Sequence, residues 1–197
     1  MSDFRVLVAA YGDPQCNGQA FETLVYHELQ RREIAGVEVF GPHAERYALA
    51  DRLNGQDALL ILDSARCMSQ VAAPLLDTDF SRPSHNHLNF QFGTYQCHKR
   101  AVEPQLELAR RLGRMPQRVR LLAAMFSLAY GSRPSFDNVL AAVPEAVRRV
   151  ERYVARWRRE AELRAEREPA PVDVIARLHA GGRTDIPHSG TLVAAEG

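Results

Sequence analysis

Apolar residues fall in short runs along this chain, and the period of the runs alternates between that of a strand and that of a helix. Phe4-Arg-Val-Leu-Val-Ala-Ala10 is apolar and β-rich and stops at Tyr11-Gly12-Asp13-Pro14, a turn signal, so it predicts a buried first strand and a loop. From Gly18 to Arg32 the spacing of Phe21, Leu24, Val25 and Leu29 predicts a helix, closed by Gly36. Val37-Glu-Val-Phe40 reads as a second strand and residues 44–54 as a short helix stopped by Asn54-Gly55. Asp57-Ala-Leu-Leu-Ile-Leu-Asp63 is a third strand, apolar throughout its middle, as suits a strand covered on both faces.

Residues 64–87 read as irregular, and Leu88-Asn-Phe-Gln-Phe92 alternates like an edge strand. Residues 98–113 predict a helix with Val102, Leu106, Ala109 and Leu112 on one face and Gly113 as its stop. Arg118-Val-Arg-Leu-Leu-Ala-Ala124 is another strand. A long helix then runs from Phe136 to about Glu166, with a kink expected near Pro144. After Glu168-Pro-Ala-Pro171 the composition turns to Gly, Pro and Ala, and residues 169–197 read as a mobile tail. Strands alternating with helices over short links predict a single α/β domain. Its sheet should be mostly parallel and twisted, of about five strands, with helices on both faces. The domain is expected over residues 1–157, with a charged helix extension and tail over 158–197.

In such a sheet the functional site lies beyond the carboxyl ends of the strands. Three segments qualify: Gly12 to Gln19, the stretch after Asp63, and His85 to His98. Asp63 stands out, because a carboxylate closing an apolar strand is costly to bury unless it is paired or binds something; the alternative is a turn or capping aspartate. His85, His87 and His98 are concentrated in fourteen residues. His85 and His87 are either imidazole ligands or part of a polar surface loop. Cys16, Cys67 and Cys97 each fall in one of the three segments, as soft metal ligands or as ordinary buried thiols. Gly12-Asp-Pro-Gln-Cys-Asn-Gly18 lacks the Gly-Lys-Ser/Thr ending of a phosphate loop, and neither GxSxG nor HExxH occurs.

Composition narrows the partners. The 197 residues are 46% hydrophobic and 25% charged with a formal net charge of +1, which gives no general surface for polyanions. Eight arginines lie between Arg148 and Arg167, interleaved with glutamates, and read as a solvated helix laced with i,i+4 pairs. No apolar run is long enough to span a bilayer, and the amino terminus enters the first strand pattern without a signal sequence. Three cysteines without CxxC spacing suit a reducing compartment. A cytoplasmic protein that binds neither nucleic acid nor membrane is therefore expected.

The order of these pieces resembles the [NiFe]-hydrogenase maturation endopeptidases over about residues 4–157. Arg5-Val-Leu-Val-Ala-Ala-Tyr-Gly12-Asp13 is similar to that family's first strand and Gly-Asn start, with Asp for Asn. Ile61-Leu-Asp63-Ser64 matches its Val-Asp-Ala. His98 precedes Leu112-Gly-Arg-Met-Pro116 at the family's spacing, and Ser135 to Val147 resembles its closing helix. The resemblance implies a phosphorylase/hydrolase-like fold and a peptidase that trims the C-terminal extension of a nickel-loaded large-subunit precursor. It implies no intrinsic cofactor; the precursor's nickel is the recognition element. The family's nickel-reading trio of an acid, an Asp and a His carries over to Gln19, Asp63 and His98, so the first-loop acidic pair is replaced by Gly18 and Gln19. Glu22, one helical turn beyond Gln19, is the available substitute for the missing acid. Two rival readings follow. One is a non-catalytic relative acting as a chaperone or assembly factor for a hydrogenase subunit. The other is a small metal-binding maturation factor using Cys16, Cys67, Cys97 and the nearby histidines.

Overall fold

One sheet organises the chain. The computed structural model describes residues 4–11, 20–41, 48–67, 75–81, 94–96, 99–127 and 136–167. In chain order its elements are β1 (Val6–Ala10), α1 (Ala20–Arg32), β2 (Val37–Phe40), α2 (Leu49–Arg52), β3 (Ala58–Cys67), β4 (Leu75–Asp79), β5 (Thr94–Gln96), α3 (Lys99–Arg111), β6 (Arg118–Ser127) and α4 (Phe136–Arg167). The strand order is β2-β1-β3-β6-β4, with β5 paired to β3 beside this path. The pairs β1–β2, β1–β3 and β3–β6 are parallel, while β4 on β6 and β5 on β3 are antiparallel.

The alternation of side chains along each strand splits the core into two layers. Val6, Val8, Ala10, Leu60, Leu62, Leu122 and Ala124 face α1 and α4 through Phe21, Val25, Leu29, Val150, Val154 and Trp157. Leu7, Ala9, Leu59, Ile61, Leu121 and Ala123 face α2 and α3 through Leu49, Ala50, Val102, Leu106 and Ala109. The central strands are thus apolar on both faces, which is why their runs are continuous in the sequence. The chain divides into Met1–Glu162 and Leu163–Gly197. The sheet and both core layers belong to the first unit; of the second, only the last residues of α4 are described. The boundary expected at 157 falls within α4, which runs on to Arg167 and passes through Pro144 without ending.

The structure departs from the sequence reading in four places. Residues 64–87 are not all irregular: β3 continues to Cys67 along β6, and Leu75–Asp79 forms β4. Only Leu75 is buried in β4, so this edge strand lacks the apolar run that marks the central ones. β5 takes up the side of β3 that β1 vacates beyond Leu62, a three-residue pairing too short to leave a pattern. Leu24 and Leu112 point to solvent, at 37% and 49% exposure. The face of α1 turned to the sheet carries Phe21, Val25 and Leu29 together with Glu22, and Leu112 lies past the end of α3. The expected strand Leu88–Phe92 and the tail 169–197 lie outside the described residues.

Gly36 and Gly113 close their turns at φ +62° and +67°, where a side chain would be strained. Gly36 is also tight in space: its carbonyl accepts from Val6 N at 3.0 Å, and an added Cβ would lie 2.9 Å from Phe4 O.

Candidate functional site

The strand order creates the site's location. From β1 the chain steps outward to β2 by α1 on one face of the sheet, then returns past β1 to β3 by α2 on the other. β1 and β3 are therefore neighbours from which the strand order runs opposite ways, to β2 on one side and to β6 on the other, the crevice at which open α/β sheets bind ligands. In parallel register Ala10 pairs with Leu62, and Tyr11 N donates to Leu62 O at 3.0 Å, so Tyr11 and Asp63 stand side by side at the carboxyl ends. Strand alternation places Asp63 on the α2–α3 face with Ile61 and Ala65, and Ser64 on the opposite, α1–α4 face.

Polar burial is concentrated at this point. Among the described residues the buried polar and charged side chains are Glu22, Asp63, Ser64 and Gln105, and the first three meet here. Glu22 and Asp63 are both 0% exposed. Ser64 joins them from the two faces of the sheet: its N–H donates to Asp63 Oδ1 at 2.7 Å, and its Oγ–H donates to Glu22 Oε1 at 2.6 Å. Glu22 Oε2 is buried without a hydrogen-bond partner among the described residues. A buried acceptor left this way is unusual and marks a place where polar chemistry has been retained against a stability cost.

Burial first, and then the negative charge of Asp63, push the Glu22 carboxyl up to about 8 against the opposing effect of the Ser64 hydroxyl and backbone hydrogen bonds. Glu22 is thus largely protonated at neutral pH. Burial, and again Asp63, push the Tyr11 phenol upward, so it remains a hydroxyl throughout the physiological range. The cluster holds one neutral carboxylic acid, one phenol and one hydroxyl around Asp63. It can accept, hold and return a proton, and its two carboxyl groups are of the hard oxygen type that a divalent cation takes up.

Of the sequence-derived candidates, Asp63 and Glu22 come together as one cluster. Gln19, His98, Gly18, His85, His87, Cys16 and Cys97 lie outside the described residues, as does the side chain of Cys67. Among the described residues no group of three His, Cys, Asp or Glu side chains is placed to hold a metal ion. Ser64 and Tyr11 were not singled out from the sequence. The available signal was position alone: Tyr11 directly follows the apolar run of β1, and Ser64 comes one residue after the Asp63 that closes the run of β3.

The chain matches no protein-family profile and no curated protein sequence. Solved structures do match. The [NiFe] hydrogenase maturation protease HybD from Thermococcus kodakarensis superposes with a TM-score of 0.58 at 18% identity, covering 76% of this chain and 99% of that one. The hydrogenase maturating endopeptidase HybD from E. coli gives 0.53 at 18% identity, over 75% and 90% of the two chains. A hydrogenase 2 maturation peptidase from a Thaumarchaeota archaeon gives 0.50 at 20% identity, over 76% and 97%. At these identities the likeness is one of fold, and it agrees with the resemblance read from the strand, Asp63 and closing-helix segments. The chain has the mostly parallel α/β fold of the hydrogenase maturation proteases, with Asp63 and Glu22 buried at its switch point.

Proposed function

We propose that this chain is a hydrogenase maturation factor of the endopeptidase type, which recognises a nickel-loaded large-subunit precursor and removes its C-terminal extension. The observation that carries the reading is the buried pair of carboxyl groups, Asp63 and Glu22, at the β1–β3 switch point of a fold shared with hydrogenase maturation proteases. Asp63 and His98 contact the metal carried by the substrate, with Gln19 or Glu22 as a weaker third group. In support, α3 begins at Lys99, directly after His98 in the chain, and packs on the sheet face to which Asp63 belongs. The substrate's nickel supplies a Lewis acid to polarise the scissile carbonyl or a water. Glu22, neutral near pH 7, is placed to exchange a proton through Ser64.

A second reading keeps the partner and drops the cleavage: a chaperone or assembly factor for a hydrogenase subunit. Its specific support is that Gln19 replaces the first-loop acid and that Glu22 is protonated rather than a ready anionic ligand. Incubation of the purified chain with nickel-loaded precursor separates the two. Loss of the precursor's extension supports the peptidase; a stable complex with the precursor mass unchanged supports the chaperone.

A further inference from the structure

A second polar cluster lies away from the carboxyl ends of β1 and β3, where the outer strand β4 meets α4. Asp77, Arg149, Arg152, Tyr153 and Arg156 line a cleft of ≈ 410 Å³. Its back wall is fixed by one carboxylate: Asp77 accepts from Arg120 Nε at 2.9 Å, from Arg149 Nη1 at 3.1 Å and from the Tyr153 hydroxyl at 2.7 Å. The Tyr153 ring is stacked on Trp157 at 5.2 Å, with the guanidinium carbons of Arg120 and Arg156 at 4.7 and 5.0 Å from its centroid.

The front of the cleft has cationic capacity to spare. Three arginines and one aspartate line it, a formal charge of +2. Arg152 and Arg156 are 68% and 56% exposed along their side chains. Their carboxylate partners, Glu145 at 3.0 Å and Glu160 at 3.5 Å, lie outside the lining, and each engages one edge of a guanidinium that carries five N–H donors. Exposed pairs of this kind exchange readily for a better-oriented carboxylate. Arg152 and Arg156 stand one helical turn apart, roughly 6 Å along the axis. Alternate side chains of an extended peptide are about 6.6 Å apart, close to that spacing.

We propose that this cleft binds an acidic polypeptide segment in extended conformation, with carboxylates at alternate positions on Arg152 and Arg156. A single small oxyanion would leave most of the cleft volume unused. Among the described residues no strand pairs with the outer edge of β4, the kind of edge along which an extended segment can add main-chain hydrogen bonds. That the segment belongs to a hydrogenase precursor rests on the function proposed above; that the cleft takes an acidic peptide does not.

The test uses the full chain and a fluorescein-labelled Gly-Glu-Ala-Glu-Ala-Glu-Gly peptide, read by fluorescence anisotropy at low salt. Saturable binding is expected, weakened at least about tenfold when Gln replaces Glu in the peptide or in the variant R152A/R156A. Arg156→Gln alone leaves the Asp77 network untouched and gives an intermediate loss, which guards against misfolding of the double variant. Three results overturn the proposal: no binding up to about 1 mM, equal binding by R152A/R156A, or displacement by inorganic phosphate at the peptide's own concentration, which indicates a free-oxyanion site. Neither nickel nor a hydrogenase subunit enters this experiment, so its outcome is independent of whether the chain cleaves a precursor.

Discussion

Ser64 and Glu22, forty-two positions apart in sequence, share a 2.6 Å hydrogen bond between β3 and the first turn of α1. It links the two sides of the site, because the same Ser64 holds Asp63 through its backbone N–H. Replacing Ser64 by Ala removes the hydroxyl donor to the buried Glu22 Oε1, so a loss of about 1–3 kcal/mol is expected. It also removes a contribution that holds the Glu22 carboxyl down, so Glu22 should titrate above its present value of about 8. Urea unfolding at pH 6 checks the first expectation, and carboxyl NMR titration the second. A variant as stable as the parent with an unmoved titration would show that the bond carries no weight.

Glu22 should make stability fall with rising pH. Its carboxyl goes from the ordinary 4.5 up to about 8 on burial. Between those values the folded state keeps a proton that the unfolded chain has released, so stability declines as pH rises through that window and levels off above about 8. Glu22→Gln keeps an acceptor for Ser64 and removes the titration. The variant should show no such decline and should exceed the parent at pH 9 by up to about 5 kcal/mol. Parallel slopes of stability against pH for the two proteins would contradict the assignment of Glu22 as a neutral buried acid.

Asp77 anchors the junction of β4, β6 and α4. With its side chain only 14% exposed, it receives two guanidiniums and a phenol. Asp77→Ala takes the shared acceptor from those donors, leaving Arg149 with Glu145 and Arg120 with Asp79, so a loss of about 2–4 kcal/mol is expected. Tyr153→Phe removes one hydrogen bond and keeps the Trp157 stack, so about 1 kcal/mol is expected. Chemical denaturation of the two variants should show this order; equal losses would mean that the phenol hydrogen bond alone, and not the two guanidinium pairs, carries the contribution of Asp77.

Gly36 should resist substitution more than Gly55. Both have positive φ, but a Cβ at Gly36 meets Phe4 O at 2.9 Å whereas nothing lies within 4 Å at Gly55. Gly36→Ala is expected to cost about 1 kcal/mol more than Gly55→Ala, the difference being the clash. Thermal melts of the two variants measure it.

The parallel centre of the fold was legible because β1, β3 and β6 are covered on both faces and their sequences are unbroken apolar runs. β4 was not, since its stability comes from Leu75 on one side and from the ion pairs of Asp77, which read in sequence as loop chemistry. The end of β3 was hidden in the same way, because Ser64 and Arg66 interrupt the apolar pattern while the ladder with β6 continues. Asp63 was legible as a carboxylate closing such a run. The complete burial of Glu22 was not: helical spacing favoured Leu24 for the sheet-facing side, and only the position of Ser64 on the α1 face explains why an acid is there instead.

The central claim is that Asp63 belongs to a peptidase site that acts on a nickel-loaded precursor. The direct measurement is the intact mass of such a precursor over time with the purified chain and with its Asp63→Asn variant, which keeps an acceptor for the Ser64 N–H. The account predicts loss of the C-terminal extension with the parent, none from nickel-free precursor, and a rate at least about a hundredfold lower with the variant. An unchanged precursor mass with the parent chain, or processing that proceeds equally well with Asp63→Asn, would contradict it.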